Sequence, residues 1–448
     1  SFLAASGKVN IAAGVATLTF PEAAKKELIR ISGVRRSQPS EPGRSLPIKL
    51  WSHQEEAVST FLQKSRGILE MATGTGKTKT SLEICRRLFE DGQIQTVIVS
   101  ADGDDLLDQW YKELLTFVKQ LGFQIPVLRH YKNHRERERF FLNKSAIILT
   151  SRHFLPAVLY SLSEDEGAKS ILIHDEVHRL GSPSNREKLA GMSDKVRFRL
   201  GLSATPDREY DDEGNAFVFE SVGEVIYSFG LENAIRRKIL SPFEYIPLEY
   251  IPSEEDKTRL QQVHKKAAAR KQAGEPMTQE EIWIELARVH KTSKAKLPVF
   301  ADFIEANPSL LQRCIIFVET REYGDEVLSI VHKYRHDFHV YYANEDSGVL
   351  KSFANGEIEC LITCHRLSEG IDIHSLETVV LFSSSKARLE TIQRIGRCLR
   401  KNPQDPSKQA NVVDFIRMPD DDPGEATGNA DLDRREWLNQ LSSVEPEK

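Results

Sequence analysis

Cysteine is scarce: there are five in 448 residues, Cys85, Cys314, Cys360, Cys364 and Cys398, scattered through apolar runs. An odd, dispersed set is no disulfide framework and reads as buried, reduced thiols of a cytosolic protein. Cys360-x-x-x-Cys364-His365 lacks a second ligand pair and lies in a strand-like run, so it is not read as a zinc site. No uninterrupted apolar stretch is long enough to cross a bilayer, and the first twenty residues lack a charged start followed by an apolar block. The expected location is therefore cytoplasmic, at the nucleoid in a bacterium, with no membrane partner. A dominant charge is missing too. Sixty-one basic residues face 66 acidic ones, a net charge of −5. Any nucleic-acid site then has to be a local basic surface, since no global field exists to attract the polymer.

Core-forming material is plentiful. Hydrophobic residues make up 40% of the chain, and its length suits about three domains. The chain starts at Ser1 rather than Met, and residues 1–45 are expected to be an N-terminal segment and linker, a remnant of an upstream domain. Ser32 to Pro47, with its Pro, Ser, Gly and Arg, carries the linker composition. From residue 46 short apolar runs alternate with helical patterns: Thr96–Ser100, Ala146–Thr150, Ile171–His174 and Arg197–Leu202. Such alternation predicts a parallel sheet with helices on both faces, assigned to residues 46–252. Residues 253–296 are charged, lack strand runs and carry Glu280 to Val289 at helical spacing, so a helical insertion or bridge is expected. Alternation resumes over 297–417 with Cys314–Val318, Glu359–Thr363, Thr378–Phe382 and Asn411–Phe415, a second α/β domain without a phosphate loop of its own. Residues 418–448 form an acidic tail, expected to be solvated.

Two motifs carry chemistry. Gly67-Ile68-Leu69-Glu70-Met71 reads as a buried strand, and Lys77 to Phe89 as a helix with Leu82, Cys85, Leu88 and Phe89 on one face. Between them stands Ala72-Thr73-Gly74-Thr75-Gly76-Lys77-Thr78. Glycines there let backbone N–H groups close round a polyphosphate at a helix N-terminus, where Lys77 can reach the β- and γ-phosphates and Thr78 can hold Mg²⁺. The full pattern would place glycine at position 71, where this chain has Met71. Further on, Asp175-Glu176-Val177-His178 ends an apolar run and supplies a metal-holding carboxylate and one that orients or deprotonates water. His174 and His178 are four apart, yet Asp rather than Glu follows the first and a strand precedes them, unlike a zinc protease helix. Arg135 to Arg139 and His264-Lys265-Lys266 read as helix surfaces with balanced charge.

Ser203-Ala204-Thr205 follows a strand of the first domain, and Gln393-Arg394-Ile395-Gly396-Arg397-Cys398-Leu399-Arg400 lies late in the second. With these in order, residues 48 to 417 resemble a superfamily 2 helicase or translocase. The resemblance implies two tandem RecA-like domains, parallel sheets with flanking helices, that bind ATP and Mg²⁺. It implies cofactor-binding roles for Gln54, near the adenine, and for Gly74, Thr75, Gly76, Lys77, Thr78, Gly370 and Asp372. Thr78 and Asp175 become the Mg²⁺ ligands and Glu176 the catalytic carboxylate. Arg397 and Arg400 become arginine fingers with Gln393 as a neighbouring sensor. Ser203 and Thr205 match the motif coupling hydrolysis to nucleic-acid grip, while Gln109, Trp110, Thr150, Ser151 and Thr363 match contacts to the sugar-phosphate backbone. Trp51 stands where relatives often have arginine. Taken alone, Arg394, Arg397 and Arg400 at helical spacing read as a solvated helix face.

Val177-His178, Glu369 and Gln393 differ from the DEAD-box RNA helicase residues. Together with Leu-x-x-Gln-Trp at 106–110 and Glu-Gly-Ile-Asp at 369–372 they resemble the XPB-type and restriction-enzyme motor group. That resemblance implies a nucleic-acid-dependent ATPase acting on duplex DNA by translocation, as the motor of a defence, restriction or repair system with a nuclease or other partner subunit. An RNA helicase is the alternative, and a nucleic-acid clamp within a larger complex is another.

Overall fold

The computed structural model describes residues 8–12, 15–19, 49–121, 124–207, 211–342, 348–364, 375–383, 388–402, 405, 407–418 and 430–447. The chain divides into two compact units. In the smaller, residues 1–47 with 118–124, strand β1 (Lys8–Ala12) pairs antiparallel with β2 (Val15–Thr19), Lys8 opposite Thr19.

The larger unit holds two all-parallel sheets, one per lobe. Seven strands, β3 (Arg66–Met71), β4 (Thr96–Ala101), β5 (Val127–His130), β6 (Ala146–Ser151), β7 (Ser170–Asp175), β8 (Phe198–Ser203) and β9 (Val225–Phe229), form the first in the order β5-β6-β4-β7-β8-β3-β9. All six residues of β7 and of β8 are buried. Both faces are therefore covered, which explains why these strands read as continuous apolar runs. Helix α1 (Ser52–Lys64) precedes β3, and α2 (Lys77–Glu90) follows it, turning Leu82, Ile84, Cys85 and Leu88 into the core.

Six strands, β10 (Phe243–Tyr250), β11 (Cys314–Phe317), β12 (Phe338–Tyr341), β13 (Cys360–Thr363), β14 (Thr378–Leu381) and β15 (Ala410–Arg417), make the second sheet, ordered β10-β15-β14-β11-β13-β12. The fold is thus α/β with two parallel-sheet domains. Phe300, Phe382 and Phe415 meet at its centre, the last two with ring centroids 4.3 Å apart.

Three points of the domain organisation differ from expectation. Strand β10 lies parallel to β15, Phe243 opposite Ala410, so the chain enters the second lobe before residue 252. Residues 253–296 do supply a helical hairpin, α3 (Glu254–Gln272) and α4 (Gln279–Lys291), cross-linked by Lys266 and Glu285 at 2.5 Å. The anchors found among the described residues lie on the second lobe: Arg417 Nη1 donates to His290 Nε2 at 2.9 Å and Tyr323 Oη to the Ser293 carbonyl at 2.7 Å. The tail, finally, is not all solvated. Helix α5 (Ala430–Ser442) docks through Arg434, whose guanidinium meets both Asp414 carboxylate oxygens at 2.7 and 3.2 Å, with both residues buried.

Candidate nucleotide cleft

Strand β3 delivers the chain at its carboxyl end into the glycine loop, the side of a parallel sheet where ligands bind. Gly74 and Gly76 both take φ of +87°, in the left-handed region that disfavours a side chain. A Cβ on Gly76 would sit 2.2 Å from Gln54 Nε2, and one on Gly74 3.2 Å from the Arg400 side chain. The loop is braced from below. Thr75 Oγ1 donates to the Ala72 carbonyl at 2.7 Å, and His53 Nε2 lies 2.9 Å from the Thr75 carbonyl. Burial holds the His53 ring below its ordinary pKa, so it is the neutral ring, with Nε2–H donating, that supports the loop. Helix α2 begins at Lys77 with the first-turn N–H groups open toward the cleft, since the first intrahelical bond is Thr80 N–H to Gly76 at 3.0 Å. Lys77 Nζ donates to the Met71 carbonyl at 3.0 Å.

Asp175 ends β7 and Glu176 follows in a left-handed conformation, φ 46° and ψ 57°. Such a turn at a residue with a side chain costs about 1 kcal/mol or more and needs support from its surroundings. Arg152 supplies it. Its buried guanidinium donates to the carbonyls of both Asp175 and Glu176, the latter at 3.0 Å, and pairs with Asp102. Asp175 is oriented in turn: Trp110 Nε1 donates to its Oδ2 at 2.7 Å and the Glu176 N–H to its Oδ1 at 3.0 Å. The Glu176 Oε2 atom lies 3.4 Å from His178 Nδ1 and accepts from Gln393 Nε2 at 3.4 Å. His178 Nδ1 is also 3.2 Å from Ser203 Oγ, which accepts the Thr205 N–H at 3.1 Å. A continuous polar line therefore joins the second lobe to the Ser-Ala-Thr segment through the Glu176 carboxylate.

The opposite wall comes from helix α6 (Arg388–Cys398), which presses Gly396 against the loop; a Cβ there would stand 2.9 Å from Thr73 Cβ. The resulting cleft of about 650 Å³ is lined by Gln54, Gly74, Gly76, Lys77, Thr78, Gln109, Asp175, Glu176, Gln393, Arg397 and Arg400, among others. Its size suits a small-molecule ligand. The Thr78 hydroxyl and the Asp175 and Glu176 carboxylates, among cations and N–H groups, form the hard-oxygen donor set expected of a Mg²⁺ that shares its coordination with phosphates. Arg394 does not join a solvated face. It is buried, donates to Ser383 and lies over the Phe317 ring at 4.5 Å.

The backbone-contact residues fare differently. Trp110 is 1% exposed and its one polar atom is committed to Asp175. Thr150 is buried, its hydroxyl 3.3 Å from the His130 carbonyl, and Thr363 is buried at the end of β13. None of these three side chains reaches a surface where a phosphate could lie. Ser151, half-buried at the end of β6, keeps access, and Gln109 faces the nucleotide cleft. Gly370 and Asp372 lie outside the described residues. Sequence reasoning missed Arg152, His53 and the contacts of His178. Only the last had a signal, its place two residues after Glu176.

Comparison with known proteins places these features in a family. Residues 47–208 match the family described as type III restriction enzyme, res subunit, and residues 295–402 the helicase conserved C-terminal domain. The DNA 3'-5' translocase XPB2 of Sulfurisphaera tokodaii is 24% identical over 398 residues, 82% of each chain. The DNA-bound type ISP restriction-modification enzyme LlaBIII superposes with a TM-score of 0.59 at 19% identity, over 89% of this chain and 30% of that one. The Hef helicase domain of Pyrococcus furiosus gives 0.52 at 15% identity, over 86% and 97%. The chain thus carries the paired helicase domains of superfamily 2, and it is similar to XPB-type translocases and restriction-enzyme motors.

Proposed function

We propose that this chain is an ATP-dependent motor that moves along duplex DNA. The observation that carries the reading is the polar line from Gln393 through Glu176 and His178 to Ser203 and Thr205. It gives the hydrolytic carboxylate one contact with the second lobe and another with the segment that reports to the nucleic-acid side, so the state of one site is felt at the others.

In this reading the open N–H groups of α2 and the Lys77 ammonium receive the β- and γ-phosphates, and Thr78 with Asp175 holds Mg²⁺. The metal, when bound, neutralises phosphate charge. Glu176 orients and deprotonates the attacking water. Closure of the lobes brings Arg397 and Arg400 to the γ-phosphate, where planar cations stabilise the charge of the transition state. Reopening after hydrolysis shifts the grip along one strand. Movement on DNA is supported by the Sulfurisphaera relative, a DNA 3'-5' translocase, and by the DNA in the restriction-enzyme complex. The latter also supports a place beside a nuclease in a restriction, defence or repair system.

ATP turnover measured with duplex DNA, single-stranded DNA and structured RNA of equal length, at matched ionic strength, tests the substrate. Duplex DNA is expected to stimulate most, with affinity falling steeply on adding salt. Stimulation by RNA equal to or above that by duplex DNA overturns the DNA assignment.

A further inference from the structure

We infer that this cleft recognises its nucleoside triphosphate by stacking the base on Trp51 and not by reading the base edge, so that GTP serves the motor as well as ATP. The inference rests on the motor reading of the same cleft.

Gln54 is the residue that would read adenine. A glutamine does so with its oxygen accepting from the 6-amino group and its nitrogen donating to N7. Here the carboxamide is spent on the protein. Gln54 is fully buried, its Oε1 accepts the Trp51 N–H at 3.0 Å, and its Nε2 donates to the Thr75 carbonyl at 3.2 Å with the Gly76 carbonyl at 3.5 Å. An amide nitrogen has two hydrogens, and two carbonyls stand within reach of them. The space that would hold a Gly76 Cβ is where Nε2 sits. Gln54 is thus a brace that ties the start of α1 to the phosphate loop, and turning it toward a base would release both.

What the cleft offers a base is a ring. Trp51 lines it and is 48% exposed, whereas the rings behind it are buried. Its centroid is 5.6 Å from that of His53, which stacks on Phe229 at 4.1 Å and 7°. This column is open only at its indole end and is held rigid from the core. Stacking on an aromatic platform tolerates any base, because every base has a π-face, and favours purines by area. Among the described residues the carboxylates of the lining are Asp175 and Glu176, which belong to the phosphate end, so none of these stands beside Trp51 to select guanine.

The test is DNA-stimulated turnover of ATP, GTP, CTP and UTP by the wild-type chain, Trp51→Ala, Trp51→Phe and Gln54→Ala, with equilibrium binding of ADP and GDP followed by tryptophan fluorescence. For the wild type, kcat/KM for GTP is expected within about tenfold of that for ATP. Trp51→Ala should raise KM for both purines by roughly tenfold, toward the low end of a base–aromatic stack, with kcat little changed, and Trp51→Phe should restore most of it. Gln54→Ala should weaken ATP and GTP alike, as loss of a loop brace would. ADP and GDP should both quench the wild-type fluorescence. Discrimination against GTP above about a hundredfold, an unchanged KM in Trp51→Ala, or a Gln54→Ala loss confined to ATP would overturn the inference while leaving the motor intact. Absence of turnover with every triphosphate would overturn the motor reading, and this inference with it.

Discussion

Gln393 and Glu176, 217 positions apart in sequence and on different lobes, meet with Nε2 of the amide 3.4 Å from Oε2 of the carboxylate. The carboxylate to which the proposed mechanism gives the attacking water is therefore already in contact with the opposite wall of the cleft.

From this contact follows the behaviour of Glu176→Gln. The amide keeps the shape of the side chain but cannot take a proton, so nucleotide binding is retained and hydrolysis falls by roughly 10²- to 10⁴-fold, the range of a general base. Equilibrium binding and single-turnover hydrolysis separate the two effects. Parental hydrolysis by this variant would refute the assignment of Glu176.

Arg152 is expected to be as important without touching a phosphate. Arg152→Met removes the donor to two carbonyls and the partner of Asp102, and with it the support of the left-handed turn at Glu176. A loss on the order of 2 kcal/mol of stability is expected, from leaving two carbonyls without their buried donor while Asp102 stays partly exposed to water, together with a fall in kcat. Chemical denaturation and steady-state kinetics measure both. Unaltered stability with full turnover would show that the turn holds itself.

Acid should loosen the hairpin base. Burial, with Arg417 beside it, pushes the His290 pKa down to about 4, and its neutral Nε2 accepts from Arg417. An unfolded histidine titrates near 6.5. Between these values the unfolded chain binds a proton that the folded one refuses, so stability is complete above about pH 6.5 and declines as pH falls toward 4. His290→Gln keeps an acceptor and removes the titration. Urea unfolding at pH 7, 6 and 5 should show a shallower loss for this variant, and identical pH slopes would exclude His290 as a source.

Legibility in the sequence followed burial. The central strands β4, β6, β7, β8, β11, β13, β14 and β15 announce themselves as apolar runs because both their faces are covered. Strands β9 and β12 are half-exposed, and β10 is an edge strand carrying Pro247, so no comparable run marks them and the lobe boundary lies earlier than the apolar pattern predicts. Helix α5 was hidden in an acidic segment because its docking depends on Arg434 meeting Asp414, a pairing across the fold. The glycine loop, Asp175-Glu176 and the arginines of α6 were legible as parts of one cleft because the chemistry expected of them fixes both residue type and spacing. Arg152 and the burial of Trp110, Thr150 and Thr363 depend on which side of a strand end or helix faces inward, and no spacing rule encodes that.

Displacement of a third strand from a DNA triplex tests the central claim most directly, since it reports movement along a duplex without requiring the duplex to be opened. The wild-type chain is expected to displace the strand only while hydrolysing a nucleoside triphosphate. The Ser203→Ala, Thr205→Ala double variant, with the polar line cut beyond His178, is expected to keep most of its DNA-stimulated hydrolysis and to lose displacement. DNA-stimulated hydrolysis by the wild type with no displacement, or displacement by the double variant at the wild-type rate, would contradict the account.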